Sequence, residues 1–387
     1  MQVELGKAVR SRFCIPPDIA FLNHGSYGAT PRPVLEAQRA LIVALETQPV
    51  DFMRGAMERV RTVAARVAPL LGADPADVVL VDNASTAVSS VLHSIVWQRG
   101  DVIVTTDHAY LAVRAALRHL ERTRGVVVRI AAVPFPIRGP EEVVAAVEPL
   151  LDGARFAIFD HITSVTGLVF PIAELVARCR ARGIPVFVDA AHTLGQIPLD
   201  VPAIGADWWV ANAHKWLFAP KGCAVLHVRR DRHAETHPAV WSIGMGDGFH
   251  EEFDFVGTRD PSAWLSLEAA IAFVEDLGGL DHVRAYQRDL RRRAAALILS
   301  RLGTDAPAPE SMLAALATLP LPDRPVFAGS THLDARHLSV RIWEQHRIEA
   351  MFVPWGGERL WLRIAAPVYA HLDEFARLAD VLATLAR

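Results

Sequence analysis

Along the middle of the chain, apolar residues fall into short, nearly unbroken runs, each followed by a longer stretch with helical periodicity. Residues 78–81, 102–105, 126–130, 156–159, 186–188, 208–210 and 224–228 read as strands. Residues 86–98, 112–122, 140–151 and 172–182 read as helices between them. Strands that are apolar throughout are buried on both faces, and this alternation predicts βαβ units in a mostly parallel sheet. Beyond residue 265 the texture changes. Residues 265–277 and 280–302 predict two helices, and the proline-rich stretch 306–325 reads as loop. Short strands are expected at 337–342, 351–354 and 360–365, and a terminal helix at 372–385. The expected fold class is α/β, with a large domain over 18–265 built on a mostly parallel seven-stranded sheet. Residues 1–17 and 266–387 are expected to form a smaller α+β domain.

Composition narrows the function. At roughly 100–200 residues per domain, 387 residues allow about two or three domains. A hydrophobic fraction of 51% and a charged fraction of 21% are ordinary for a soluble globular enzyme. A net charge of -3 leaves no basic footprint for nucleic acid. Cys14, Cys179 and Cys223 are scattered, matching neither a disulfide framework nor metal spacing, which fits a reducing cytoplasm. The first residues carry charges and no apolar core, so no secretory signal is expected, and no run reaches the ~18 apolar residues of a membrane span. The histidines contain no His-Glu-x-x-His pattern and no G-x-G-x-x-G follows a strand, so neither zinc nor a dinucleotide is expected. Trp208-Trp209 reads as sheet packing and Arg291-Arg292-Arg293 as a solvated helix face.

In open α/β sheets, ligands bind at the carboxyl ends of the strands. After 78–81 come Asp82-Asn83-Ala84-Ser85-Thr86, opening a helix. Free N–H groups and the helix dipole make that a phosphate site, although a plain N-cap has the same sequence. After 186–188 come Asp189-Ala190-Ala191-His192. A strand-end carboxylate serves as a metal ligand, a ribose binder, a partner for a protonated ring nitrogen, or a structural group. A metal site needs further carboxylates on neighbouring strands, and these read as sparse. After 208–210 come Asn212-Ala213-His214-Lys215-Trp216. Burial would lower the pKa of Lys215 and make it a Schiff-base nucleophile; otherwise it is a snorkelling surface lysine. The ordered set of anion cradle, acid and amine matches what pyridoxal phosphate requires.

With these strings the chain resembles the class V aminotransferase superfamily of fold-type I pyridoxal-phosphate enzymes, and within it the isopenicillin N epimerase-like and C–S lyase subgroup. Further strings in family order are Phe21-Leu22-Asn23-His24-Gly25-Ser26-Tyr27-Gly28, Asp107-His108-Ala109-Tyr110, Gly257-Thr258-Arg259-Asp260 and Leu362-Arg363-Ile364-Ala365. The resemblance implies pyridoxal 5'-phosphate as cofactor, held as a Schiff base on Lys215, with Lys215 shuttling the Cα proton. It implies Asp189 on the pyridinium, His192 on the phenolic oxygen, and Ala84, Ser85, Thr86, Asn212 and His214 around the phosphate. Thr258 would reach the phosphate of the neighbouring subunit in a homodimer. Arg363 would clamp the substrate carboxylate, with Asn23, His24, Tyr27 and Ser164 on the substrate side. Where many relatives stack a histidine on the ring, Tyr110 is expected here, with His108 second. Thr163-Ser164 stands where relatives have asparagine.

Several reactions at the Cα of an amino acid lie open through an external aldimine and quinonoid. β-Elimination needs only Lys215 and one proton donor, so a C–S lyase acting on a cysteine S-conjugate or sulfoxide is preferred. Epimerisation needs a second acid/base on the opposite face, and transamination ranks third. Tyr110 would serve as the donor or the second base. Cysteine desulfurases of the family carry a nucleophilic cysteine shortly before the carboxylate-binding arginine. Residues 347–356 have none, which disfavours persulfide formation. A regulatory or assembly protein that keeps the fold is the non-enzymatic alternative, opposed by the joint presence of Lys215, Asp189 and Arg363.

Overall fold

The computed structural model describes residues 3–387. Its strands, in chain order, are β1 (Ala20–Phe21), β2 (Val78–Val81), β3 (Val102–Thr106), β4 (Val127–Ala131), β5 (Phe156–Asp160) and β6 (Val186–Asp189). They continue with β7 (Trp208–Ala211), β8 (Ala224–Val228), β9 (Leu316–Pro320), β10 (Ile348–Glu349), β11 (Met351–Pro354) and β12 (Leu360–Ala365). Seven of them form one sheet in the order β2-β8-β7-β6-β5-β3-β4, in which only β8 runs against the others. The carboxyl ends of β2, β3, β5, β6 and β7 therefore meet along one edge.

The strands alternate between two apolar cores. Leu80, Val104, Phe159, Val188 and Trp209 enter one, and Val79, Ile103, Ile158, Phe187 and Trp208 enter the other. Each central strand thus buries both faces, as expected of a parallel sheet covered by helices. Trp208 and Trp209 are packing residues, with Trp208 Nε1 donating to Thr236 Oγ1 at 2.8 Å.

A second sheet, β11-β12-β9, is antiparallel and carries a third core around Leu319, Phe352, Leu362 and Ile364. Two expectations fail here. Residues 337–342 lie inside the helix His332–His346. Leu338, Val340 and Ile342 imitate strand alternation, but the buried residues are Ala335, Leu338 and Ile342, a helical spacing. The stretch 306–325, read as loop, contains β9, whose Ala and Leu residues give no strand signal of their own. It is a strand because β12 pairs with it from Ala365↔Leu316 to Trp361↔Pro320. Short β1 pairs in parallel with β10, and the Ala365 N–H donates to the Leu22 carbonyl at 3.0 Å. That pairing lays Asn23 and the residues after it beside β12.

Arg291 departs from the expected solvated face. It is 1% exposed on the helix Leu280–Leu302, donates to both Glu310 carboxylate oxygens at 2.7 and 2.6 Å, and reaches the Ala314 carbonyl at 2.8 Å. Arg291→Ala strands a buried carbonyl and removes a charge-assisted pair, at a cost of about 2 kcal/mol. Arg292, exposed beside Asp289, costs under ~0.5 kcal/mol when replaced by alanine. Urea denaturation of the two variants measures the difference.

Candidate active site

The carboxyl edge of the large sheet opens into a cavity of about 490 Å³. Ala84, Ser85, Tyr110, Asp189, His192, Asn212, His214, Lys215, Tyr27 and Ser164 line it, ten of the residues expected from sequence.

Lys215 sits in the short helix Ala213–Trp216, one turn beyond β7, with 9% of its surface exposed. Its main chain is hemmed in by glycines. A Cβ on Gly28 would meet the His214 and Lys215 carbonyls at 2.6 and 2.7 Å, and one on Gly195 would meet the Trp216 carbonyl at 2.2 Å. The side-chain amine lies 3.1 Å from His192 Nε2. Burial lowers its pKa to about 8, opposed by Asp189, assisted by Arg363 and opposed again by Asp160. Trp216 Nε1–H points at His192 Nδ1 at 3.4 Å, so His192 carries its proton on Nε2 and presents an N–H to a neutral Lys215 amine. Burial, with Lys215 next, holds His192 well below the usual imidazole range.

Asp189 ends β6, is 3% exposed, and accepts the Ala191 N–H at 3.0 Å. Burial raises its pKa; the Ala191 N–H and Lys215 oppose the rise. Opposite the carboxylate, the helix Ala84–Ser94 begins at the cavity with Asn83 as its cap, accepting the Thr86 N–H at 2.9 Å. Asn212 Oδ1 accepts the Ala84 N–H at 2.9 Å, and His214 Nδ1 faces the Cys223 carbonyl at 2.9 Å. Burial takes His214 down to about 4, so this end of the cavity relies on N–H dipoles and hydroxyls, with Lys221 on its wall.

Arg363, on β12, is 2% exposed and forms no salt bridge among the described residues. It donates to the Ser164 carbonyl at 2.6 Å, Asn23 Oδ1 at 3.0 Å and Ser26 Oγ at 2.7 Å. Burial lowers its pKa to about 10, and Tyr110 opposes the shift. A buried guanidinium held only by neutral acceptors is a receptor for a carboxylate. Tyr110, half-exposed at the start of the helix Leu111–Arg124, has its phenol pushed up by partial burial, Tyr27 and Asp189, with Arg363 opposing. It is a proton donor at neutral pH.

Four expected residues lie outside this group. His108 is fully buried, with Nδ1 on Thr166 Oγ1 at 2.7 Å, Nε2 on the Val133 carbonyl at 3.1 Å, and its ring against Trp355. It fastens a loop and does not face the cavity. His24 is also fully buried: Nδ1 meets Tyr369 Oη at 2.8 Å and the Ala29 N–H, so Nε2–H donates to the Lys215 carbonyl at 2.9 Å. Burial takes it down to about 3, and it anchors the Lys215 main chain from behind instead of touching substrate. Thr86 bonds Asn83 and lines a separate small cleft with Arg259. Thr258 is exposed and away from this protomer's cavity.

Three residues were missed. Asp160 ends β5 and lines the cavity beside Asp189, so carboxylates on neighbouring strands are not absent. The strand-end signal used for Asp189 would have found it. Ser26 and Lys221 carry no signal of their own; only the folding of β1 against β12 and the loop after Lys215 places them. Among the described residues, no group of three or more His, Cys, Asp and Glu side chains is placed to hold a metal ion. No cysteine lines the cavity.

These residues fit pyridoxal phosphate. A buried amine with its pKa lowered to about 8, a buried carboxylate and a helix N-terminus surround one space, with a guanidinium lacking a salt bridge close by. The aminotransferase class-V family matches residues 28–343, and the chain belongs to that family of pyridoxal-phosphate enzymes. It is 33% identical to a putative L-cysteine desulfhydrase of Oryza sativa subsp. japonica, over 94% of this chain and 82% of the relative. It is 31% identical to an isopenicillin N epimerase of Streptomyces clavuligerus, over 100% of this chain and 99% of the relative. In fold it is similar to the apo cysteine desulfurase of Thermococcus onnurineus NA1, with a TM-score of 0.81 at 20% identity over 99% of this chain and 98% of the other.

With Lys215 at about 8, uptake of pyridoxal phosphate by cofactor-free protein accelerates with pH and levels off above pH 8. Stopped-flow absorbance measures the profile; an inflection at the ordinary lysine value would contradict the assignment. Lys215→Ala removes the visible absorbance of the bound cofactor.

Proposed function

We propose that the protein is a C–S lyase that carries out β-elimination on a cysteine S-conjugate or its sulfoxide. The observation that carries this reading is the presence in one cavity of one titrating amine, Lys215, and one protonated phenol, Tyr110, with Arg363 close enough to act on both. β-Elimination requires one base at Cα and one donor at the leaving group, and no more.

When bound, the cofactor supplies an aldehyde for amine capture and a ring that draws electrons from Cα. Asp189 would face the ring nitrogen, His192 and Lys215 the aldehyde side, and Ala84, Ser85, Asn212 and His214 the phosphate. Arg363 receives the α-carboxylate and is kept in place by Ser164, Asn23 and Ser26. Lys215, its pKa lowered to about 8 by burial, removes the proton from Cα in its unprotonated form. Tyr110 gives a proton to the departing sulfur. The products are a thiol or sulfenic acid, with pyruvate and ammonia after hydrolysis.

The similarity to an isopenicillin N epimerase along the whole chain favours epimerisation as the second reading. There Tyr110 would return a proton to Cα on the face opposite Lys215. A homodimer and a cytoplasmic location belong to the same proposal. Exposed Trp241 and Ile243, 74% and 83% accessible, support the dimer, as does exposed Thr258 beyond this protomer's cavity. Unpaired Cys14, Cys179 and Cys223 support the location. No helix among the described residues is long and apolar enough to cross a membrane. The division into residues 18–265 and 1–17 with 266–387 is likewise proposed, supported by the separate core around β9, β11 and β12.

S-substituted cysteines incubated with the holoenzyme in D₂O decide between the two reactions. Pyruvate and ammonia in equal amounts are expected; deuterium at Cα with inversion and no pyruvate would establish the epimerase. Arg363→Lys replaces a forked donor by a point charge and lowers kcat/KM about 10–100-fold, mainly through KM. Steady-state kinetics with the preferred S-conjugate measures it.

A further inference from the structure

Asp160 and Asp189 end adjacent parallel strands and face each other in register. Neighbouring strands lie about 4.8 Å apart, and in-register residues of a parallel pair project to the same face. Both side chains enter the one cavity, and they are 4% and 3% exposed. Neither forms a salt bridge among the described residues. The cation that acts on both is Lys215, and its own amine titrates; Arg363 is held by Ser164, Asn23 and Ser26. The other groups around the pair supply no positive charge at neutral pH. His192 and His161 are held neutral by burial, and Tyr110 is a protonated phenol.

We infer that Asp160 and Asp189 share a single proton, resident on Asp160, so that the pair presents one negative charge to the cavity through Asp189. Two carboxylates side by side in one cavity and out of water do not readily both ionise. Asp189 accepts the Ala191 N–H, which favours its ionised form. Asp160 is pushed well above the usual carboxylate range by burial and then by Asp189, with the main-chain N–H groups of Tyr110 and Asp160 and the Lys215 amine opposing.

Asp160 acts as a positioning residue. Its retained proton limits the pair to one charge. Asp189 and Asp160 both oppose the lowering of Lys215, so an Asp160 that keeps its proton removes one of the two charges holding the amine up. The inference rests on the cavity being the cofactor site only for its consequence at Asp189; the shared proton itself is a property of the protein without cofactor.

Infrared difference spectroscopy of the cofactor-free protein tests it. At neutral pH, wild type minus Asp160→Asn shows the carbonyl band of a protonated carboxyl group. In Asp189→Asn the same band titrates away at lower pH than in wild type. Absence of the band, or a midpoint that Asp189→Asn leaves unchanged, overturns the shared proton. A second measurement uses holoenzyme. The carboxamide is isosteric with a protonated acid, so Asp160→Asn leaves the inflection of the visible pH titration within about 0.3 unit. Loss of an ionised neighbour would instead move it down by roughly 1 unit or more. A protein that failed to bind pyridoxal phosphate would refute the functional reading and leave the infrared result to stand or fall alone.

Discussion

Charges without water or a partner govern this protein. At the carboxyl edge of the large sheet, Lys215, Arg363, Asp160 and Asp189 are all nearly inaccessible to solvent. Burying an ion costs several kcal/mol even after relaxation, so each group has to be neutralised by losing or keeping a proton, or held by neutral dipoles. Arg363 takes the second course and is fastened to a carbonyl, a carboxamide and a hydroxyl. Lys215 moves toward the first, its pKa lowered to about 8. The histidines nearby are driven neutral and contribute geometry without charge. The arrangement suits the proposed occupants, a cofactor with an aldehyde, a ring nitrogen and a phosphate and a substrate with a carboxylate.

Placement of these groups is a consequence of topology. Parallel strands bring their carboxyl ends to one line, so a residue at the end of β5, another at the end of β6 and a third just past β7 become neighbours without any local sequence relation. Arg363 comes from the other sheet. The pairing of β1 with β10 and the contact of Leu22 with Ala365 set Asn23 and Ser26 against it. The substrate side of the cavity is thus assembled from both ends of the chain.

Much of this was legible in the sequence, and the failures have physical causes. The central strands were readable because burial on both faces leaves them apolar throughout. The residues that line the cavity were readable because strand-end positions and helix starts restrict what a residue there can do. His24 and His108 were misread because histidine chemistry is the same whether its nitrogens meet a ligand or a carbonyl; only their burial distinguishes the two. Asp160 follows Phe159 as Asp189 follows Val188, so the same strand-end position marks both. β9 and the helix His332–His346 were misread because their local patterns contradict the partners that determine them, a strand made of helix-formers and a helix with alternating apolar residues. Arg291 shows the same limit, since one residue of an arginine run turned inward to Glu310.

The glycines behind Lys215 carry a consequence for how such a protein changes over time. Gly28 and Gly195 press against the main chain of the lysine turn from two directions, and His24 ties its carbonyl down. The Lys215 turn cannot be re-aimed by small steps, because any side chain added at either glycine collides with the backbone. A lineage built on this scaffold is therefore free to diverge only at the rim, through Tyr27, Tyr110, Ser164 and Lys221. New chemistry would arise from who gives or takes the second proton, while the first remains in the same hands.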